Sequence, residues 1–185
     1  MAIEEFPGSR VVKTKMVWFA LILLAVWTMK RYYSAAGPND LWWILGPTAH
    51  LAGGTTNSFA AEPGAGYLSR ERLFLIEKSC AGLNFMIAAF AMLTFTLRRS
   101  VTSFCSGAMV LAGSLAAAYA ATIAVNAVRI AIAMRLASHR LAVAHLTPAQ
   151  CHRLEGIVVY FAGLTLLHEI ALHAQRRAAF LRSNL

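Results

Sequence analysis

Long apolar runs separated by short basic clusters dominate the pattern of hydrophobic and polar positions along the chain. The runs cover Met16 to Met29, Leu83 to Leu97, Val101 to Val125 and Gly156 to His173. A membrane-spanning helix needs about 20 mostly apolar residues, and the first run reaches that length only if flanking lysines and arginines snorkel to the membrane surface. The pattern predicts an all-α fold: a polytopic membrane helix bundle with about four to six transmembrane helices.

The segment between the first two runs is interrupted by proline and glycine. Its paired tryptophans, Trp42 and Trp43, are typical of a membrane interface. We expect Leu41 to Phe59 to form an interfacial or re-entrant helix, followed by a loop from Ala60 to Ser69 and a short extended segment from Leu73 to Ile76. In the alternative interpretation, the stretch 41–59 spans the membrane, which would reverse the orientation of the helix that follows unless another crossing intervenes.

Composition supports a single integral-membrane domain over residues 1–185. Hydrophobic residues make up 58% of the chain and charged residues only 14%, which is unusual for a soluble domain. The net charge of +9 comes from short clusters rather than a basic stripe, so we expect lipid headgroups as partners and no nucleic acid. Basic residues near helix ends favour cytoplasmic tails at 1–15 and 174–185, and the first run is expected to remain as a span.

Cys80 lies in a turn of small residues, directly before the second apolar run. A thiol at the N-terminus of a helix is favoured as the thiolate by the helix dipole. The chain has three cysteines, which gives no complete disulfide framework. Cys105 is interpreted as a packing residue, and Cys151 is a weaker alternative nucleophile. Taken alone, Cys80 would also suit a packing role.

Two further side chains are expected at the same membrane face as this thiol. Arg129 follows the third predicted helix, in a stretch to about Ala137 where the apolar pattern runs on and the helix either continues or restarts. His152 precedes the last helix. An imidazole can accept a thiol proton and return it to a leaving amine, and a guanidinium can stabilise an oxyanion or hold a carboxylate. Together they indicate acyl transfer through a thioester. The individual alternatives are a headgroup-binding arginine and an ordinary loop histidine.

Three sequence blocks resemble the signature motifs of the exosortase and archaeosortase family, and are most similar to exosortase K. They are Glu77–Phe85, Asn126–Ile130 and His152–Gly156. The resemblance implies a multi-spanning cysteine transpeptidase of the bacterial inner membrane with its active site on the extracytoplasmic face. It also implies exported proteins with a C-terminal sorting signal as partners: a motif, a transmembrane helix and a basic tail. The enzyme would cleave there and pass the acyl group to a surface acceptor.

By the same resemblance, Cys80 is the nucleophile, His152 the acid and base, and Arg129 the transition-state stabiliser. Longer family members carry many more spans, so this chain resembles a minimal core. Four polar residues near these three are interpreted as orienting groups, or equally as turn and cap residues: Glu77, Asn84, Asn126 and Glu155.

No cofactor or metal is expected. The histidines at 168 and 173 are five residues apart, whereas a zinc helix needs histidines four apart on one face. The alternative function is a non-enzymatic membrane scaffold or assembly factor. An intramembrane serine protease would need an activated serine, which the surroundings of Ser106 do not provide, and a single aspartate, Asp40, excludes a paired-aspartate protease. The sorting motif, the acceptor and the oligomeric state are left open.

Overall fold

A computed structural model of the protein describes residues 7–54, 58–71, 73–98, 101, 103–139 and 147–183. Within these residues the chain forms five α-helices: α1 (Pro7–Ala35), α2 (Trp42–Gly53), α3 (Leu83–Leu97), α4 (Phe104–His139) and α5 (Pro148–Ser183). Three short strands lie between α2 and α3: β1 (Ala60–Glu62), β2 (Gly66–Ser69) and β3 (Phe74–Ile76). Single 3-10 turns precede α2 and α3, at Asn39–Leu41 and Lys78–Cys80.

Three segments of the described chain are long and apolar enough to cross a membrane. They are Lys78–Leu97, Phe104–Leu136 and Gln150–Leu181, and they correspond to the second, third and fourth apolar runs. The mostly helical fold and the presence of apolar helices of membrane-spanning length are therefore as predicted. The first run lies within α1, a helix of 29 residues, and its crossing of the membrane stays a prediction, as does the total of four to six spans.

The last two helices are longer than predicted. α4 continues without a break past Val125 to His139, so Arg129 lies inside the helix instead of after it. No glycine or proline interrupts this stretch, and its apolar face continues through the buried Ile130 and Met134. Of the two outcomes predicted for the stretch after Val125, a continued helix or a new one, the structure has the continued helix.

The sequence predicts a polar connection over residues 138–155, with the last helix starting at Gly156. The N-terminus of α5 corrects this boundary, because residues 148–155 are helical. The backbone N–H of Thr147 donates to Gln150 Oε1 at 2.8 Å, and that of Gln150 donates to Thr147 Oγ1 at 3.3 Å. This reciprocal capping box, with Pro148 at the first helical position, starts the helix. His152 accordingly lies within α5. Residues 7–15 and 174–183, which belong to the predicted cytoplasmic tails, are helical, and their cytoplasmic location stays a prediction.

The three-stranded antiparallel sheet contradicts a strictly all-α fold and replaces the loop predicted from Ala60 to Ser69. Its strands lie in the order β1-β2-β3, with Tyr67 paired to Ala61 on one side and to Ile76 on the other. Gly66 has φ +130°, and a side chain there would overlap the Ile76 carbonyl, so only glycine fits this close approach. β3 confirms the extended segment predicted before Cys80.

α3 is central to the helical packing, with contacts to α1, α4 and α5. α2 packs against α4. Leu41, in the turn before α2, is buried, and so are Ile44 and Leu45 in the first turn of α2. Its 12 residues extend about 18 Å, well short of a bilayer core of roughly 30 Å. α2 therefore cannot span the membrane alone, which disfavours a crossing at 41–59.

Candidate active site

The turn that carries Cys80 is fixed by its own backbone hydrogen bonds and by α4. The N–H of Cys80 donates to the carbonyl of Glu77 at 2.8 Å, and Gly82 adopts φ +72° before α3 begins. A side chain at position 82 would come within 3.1 Å of Thr122 and 3.2 Å of Asn126. Glycine thus permits both the left-handed turn and the contact with α4. The thiol is 8% exposed and lies beside the N-terminus of α3.

Asn126 joins this turn to α5. Its side chain is fully buried on α4, and its Nδ2 donates to the Cys80 carbonyl. Its Oδ1 accepts a hydrogen bond of 2.8 Å from the Tyr160 hydroxyl. A buried amide whose donor and acceptor are both engaged is held in one orientation, so Asn126 fixes the Cys80 turn relative to both long helices.

Arg129 lies one turn further along α4, with its guanidinium directed at α5. Nη1 donates to the Tyr160 hydroxyl at 3.0 Å, and Nη2 contacts His152 Nε2 at 3.0 Å. The guanidinium carbon lies 5.2 Å from the centre of the Tyr160 ring, a cation–π distance. Gly156 provides the space, because a side-chain carbon there would come within 3.0 Å of Arg129 Nε.

The contact with Arg129 fixes the protonation of His152. A guanidinium has donors and no acceptor, so His152 Nε2 accepts and the ring is neutral, with its proton on Nδ1. Nδ1 lies 3.4 Å from Glu155 Oε2. The Glu155 side chain is 8% exposed, and neither of its oxygens has a hydrogen-bond partner among the described residues. The imidazole therefore lies between a buried cation and a buried carboxylate.

Cys80 and His152 are not hydrogen-bonded to each other in the part of the chain that the structure describes. The Sγ atom contacts Ser79 Oγ at 3.8 Å. The thiol does lie within electrostatic range of Arg129 and of Tyr160. In this arrangement the charged side chain within electrostatic range of Cys80 is Arg129.

The structure gathers most of the predicted site residues at one end of the bundle. Direct contacts or electrostatic proximity join five of them into a single cluster: Cys80, Asn126, Arg129, His152 and Glu155.

Two of the predicted orienting residues lie outside this cluster. Glu77 is exposed and contributes its main-chain carbonyl to the Cys80 turn. Asn84 is also exposed and accepts a hydrogen bond of 2.8 Å from Lys30 of α1. Of the remaining cysteines, Cys151 is half-buried beside the cluster, whereas Cys105 is exposed in the first turn of α4.

Tyr160 is the site residue that sequence reasoning missed. It lies two turns after His152 on α5, and its hydroxyl is bonded to both Asn126 and Arg129. The available signal was its spacing: residues 152, 156 and 160 follow one another at intervals of four, which places them on neighbouring positions of one helix face. A tyrosine in an apolar run is, however, equally typical of a membrane interface.

Among the described residues, no group of three histidine, cysteine, aspartate or glutamate side chains is arranged to hold a metal ion. No protein-family model, curated protein or solved structure matches the chain. The chemistry of the site therefore rests on its residues: a thiol, a guanidinium, a neutral imidazole and a carboxylate brought together by three helices.

Proposed function

We propose that the protein is an exosortase-type membrane cysteine peptidase and transpeptidase. It cleaves a C-terminal sorting signal of exported proteins through a Cys80 thioester and transfers the acyl group to a surface acceptor. The observation that carries this proposal is the continuous set of contacts from the Cys80 turn through Asn126 and Arg129 to His152. The three sequence blocks that resemble the family supply these same residues.

The proposed reaction begins with attack of the Cys80 sulfur on the carbonyl carbon of the scissile peptide bond. The carbonyl oxygen becomes an oxyanion, and Arg129 donates to it. Nη2 must leave His152 Nε2 to do so, and its departure frees that nitrogen to accept the thiol proton. When the carbon–nitrogen bond breaks, His152 passes the proton to the leaving amine and a thioester remains.

The acceptor, an amine or hydroxyl group, then attacks the thioester carbonyl. His152 takes the proton from the acceptor and returns it to the Cys80 sulfur as the carbon–sulfur bond breaks. Attack by water instead gives hydrolysis. Glu155 faces Nδ1 of the imidazole at 3.4 Å, and its charge stabilises the imidazolium formed in each half-reaction.

The proposed topology has α1, α3, α4 and α5 as spans in the bacterial inner membrane, with the N-terminus in the cytoplasm. Gln175 Nε2 donates to the Thr96 carbonyl at 2.8 Å, so the C-terminal ends of α5 and α3 lie together. Basic residues follow both positions, at Arg98 and Arg176, as expected of a cytoplasmic end. The cluster at the other end of these helices would then face the extracytoplasmic side.

The central experiment is Cys80→Ala in cells that contain a cognate exported protein. We expect processing of the sorting signal to stop while the variant accumulates in the membrane at the wild-type level, because the nucleophile is gone and a small buried side chain replaces it. Cys151→Ala is the matched control and should process normally. Normal processing by Cys80→Ala would contradict the proposal and favour a non-enzymatic scaffold.

The topology is tested separately with single-cysteine variants and a membrane-impermeant thiol reagent. A variant retaining only Cys151 should be labelled in spheroplasts, because this residue lies beside His152 at the outer end. A variant retaining only Cys105, at the opposite end of the apolar stretch of α4, should be labelled only after the membrane is permeabilised. The reverse pattern would contradict the proposed orientation without bearing on the identity of the nucleophile.

A further inference from the structure

We infer that Tyr160 is a positioning residue of this site: its hydroxyl fixes the positions of the Arg129 and Asn126 side chains relative to the Cys80 turn. The inference rests on the proposed function for its kinetic test. Tyr160 lies outside the three sequence blocks, and none of the roles predicted from the sequence was assigned to it.

The Tyr160 hydroxyl is used in both of its hydrogen-bonding capacities. It donates to Asn126 Oδ1 at 2.8 Å and accepts from Arg129 Nη1 at 3.0 Å. The direct contact from Arg129 Nη1 to Asn126 Oδ1 is longer, at 3.5 Å, and therefore weak. The hydroxyl is thus the principal link between the guanidinium and the amide that binds the Cys80 carbonyl.

The ring of Tyr160 has a different role from the hydroxyl. It packs against Phe85 of α3, with ring centres 5.3 Å apart, and lies beneath the Arg129 guanidinium at 5.2 Å. Both contacts involve only the aromatic ring. Tyr160→Phe therefore keeps the packing of α5 on α3 and removes only the hydroxyl, which separates positioning from general stability.

Removal of the hydroxyl leaves two buried groups without their best partner. Arg129 Nη1 loses its acceptor at 3.0 Å and Asn126 Oδ1 loses its donor at 2.8 Å. Arg129 is then restrained mainly through His152, and the Asn126 amide is free to rotate away from the Cys80 carbonyl. Tyr160 makes no hydrogen bond to Sγ within the described residues, so it acts on the thiol through these two neighbours.

The test compares Tyr160→Phe with Tyr119→Phe in the full-length protein reconstituted in lipid vesicles. Tyr119 is a matched control because it is also partly buried and its hydroxyl donates to the Trp43 carbonyl at 2.7 Å, away from the cluster. We expect Tyr160→Phe to lower kcat for sorting-signal cleavage by about 10- to 100-fold, the range seen when a group that orients a functional side chain is removed. KM and the amount of folded protein should not change.

Asn126→Ala provides a second variant. Asn126 and Tyr160 share one hydrogen bond. The double variant Tyr160→Phe/Asn126→Ala should therefore cleave no more slowly than the slower of the two single variants. In the double variant Tyr119→Phe/Asn126→Ala, by contrast, the effects of the two replacements on the rate should multiply. Multiplicative losses for Tyr160→Phe and Asn126→Ala would overturn the inference, as would a kcat for Tyr160→Phe equal to that of Tyr119→Phe.

Alkylation of Cys80 by iodoacetamide gives a readout that does not depend on enzymatic activity. In a background with Cys105 and Cys151 replaced by serine, we expect Tyr160→Phe to speed alkylation of the buried Cys80 several-fold, because the Asn126 amide that binds the Cys80 carbonyl is less well held. An unchanged or decreased rate would overturn the inference. If the wild type alkylates slowly, Tyr160→Phe rapidly, and neither cleaves the substrate, the proposed function fails while the positioning role stands.

Discussion

Replacement of Arg129 by lysine tests the reasoning about the site most directly, because it preserves the positive charge and removes the planar fork of hydrogen-bond donors. The guanidinium makes two hydrogen bonds of 3.0 Å on separate nitrogens, to the Tyr160 hydroxyl and to His152 Nε2. A lysine ammonium is a single point donor on a shorter, more flexible chain. It can approach one of these partners but cannot reproduce the fork that reaches both.

The size of the effect follows from the hydrogen bond that is lost. A hydrogen bond to a charged group contributes about 1.5–3 kcal/mol, which corresponds to a rate lower by roughly 10- to 150-fold if the bond acts in the transition state. If the missing nitrogen is also the donor to the oxyanion, the loss should approach about 10³-fold. Arg129→Lys is therefore expected to process a sorting signal at least about tenfold more slowly than the wild type.

The assay is single-turnover cleavage of a reconstituted substrate, with rates normalised to the folded enzyme in the membrane. Arg153→Lys is the control: Arg153 is adjacent to His152 in sequence but exposed, so its replacement should leave the rate unchanged. A wild-type rate for Arg129→Lys would refute the argument, because charge alone would then be sufficient. Equal losses in both variants would also refute it, since the effect would not depend on the buried fork.

Two further replacements on α5 address the space and the charge around the imidazole. Gly156→Ala should slow cleavage, because its new carbon would come within 3.0 Å of Arg129 Nε. Gly113→Ala should have little effect, because among the described residues no atom outside its own helix backbone lies within 4 Å of the added carbon. The contrast is measured as processing per unit of membrane protein. Glu155→Gln should lower kcat by about 10- to 100-fold by removing the carboxylate that faces the imidazole, while Glu169→Gln, exposed on the same helix, should not. Equal rates within either pair would contradict the corresponding step.

The helix boundaries predicted from the sequence were accurate where the chain contains clear helix start and stop signals. α3 begins directly after Gly82 and ends before Arg98, as predicted, because a left-handed glycine and a basic pair mark its two ends. α4 has no such signal near Val125 and simply continues. At the start of α5, the capping box of Thr147 and Gln150 was present in the sequence, but the polar residues after it were interpreted as a connection.

The sheet was missed for a different reason. Its strands contain three or four residues, too few for an alternating pattern to emerge from a segment rich in glycine and proline. What stabilises them is pairing between residues such as Ala60 and Leu68, which is a contact between distant positions. Local sequence therefore indicated the extended conformation of β3 but not its partners.

The site was predictable in its reactive groups but not in their connections. Cysteine, arginine and histidine are reactive or ionisable residues that stand out in an apolar sequence. Their positions at the ends of the predicted helices suggested that all three lie at one membrane face. The bonds among them depend on how α4 and α5 face each other, which no single segment specifies. For this reason Tyr160 was overlooked, and the hydrogen bond between Asn84 and Lys30 was not foreseen.

Helix lengths place the imidazole further than the start of α3 from the end of the bundle where Thr96 meets Gln175. Thr96 and Gln175 are in contact at one end of the bundle, and from there α3 rises about 20 Å to Leu83 at 1.5 Å per residue. α5 rises about 34 Å from Gln175 to His152, beyond a bilayer core of roughly 30 Å. Tyr160 lies about 12 Å below His152 on this scale, at the level where its ring meets Phe85.

In the proposed topology, this difference in height gives each element of the site a distinct position relative to the membrane. Arg129 and His152 would lie towards the water-facing end, whereas the Cys80 turn, which starts the shorter helix, would lie nearer the apolar layer. Asn126 and Tyr160 provide the contacts that join the two levels. We therefore expect a scissile carbonyl to meet the sulfur from the membrane side and the guanidinium from the aqueous side, an arrangement suited to a peptide bond just outside a transmembrane helix.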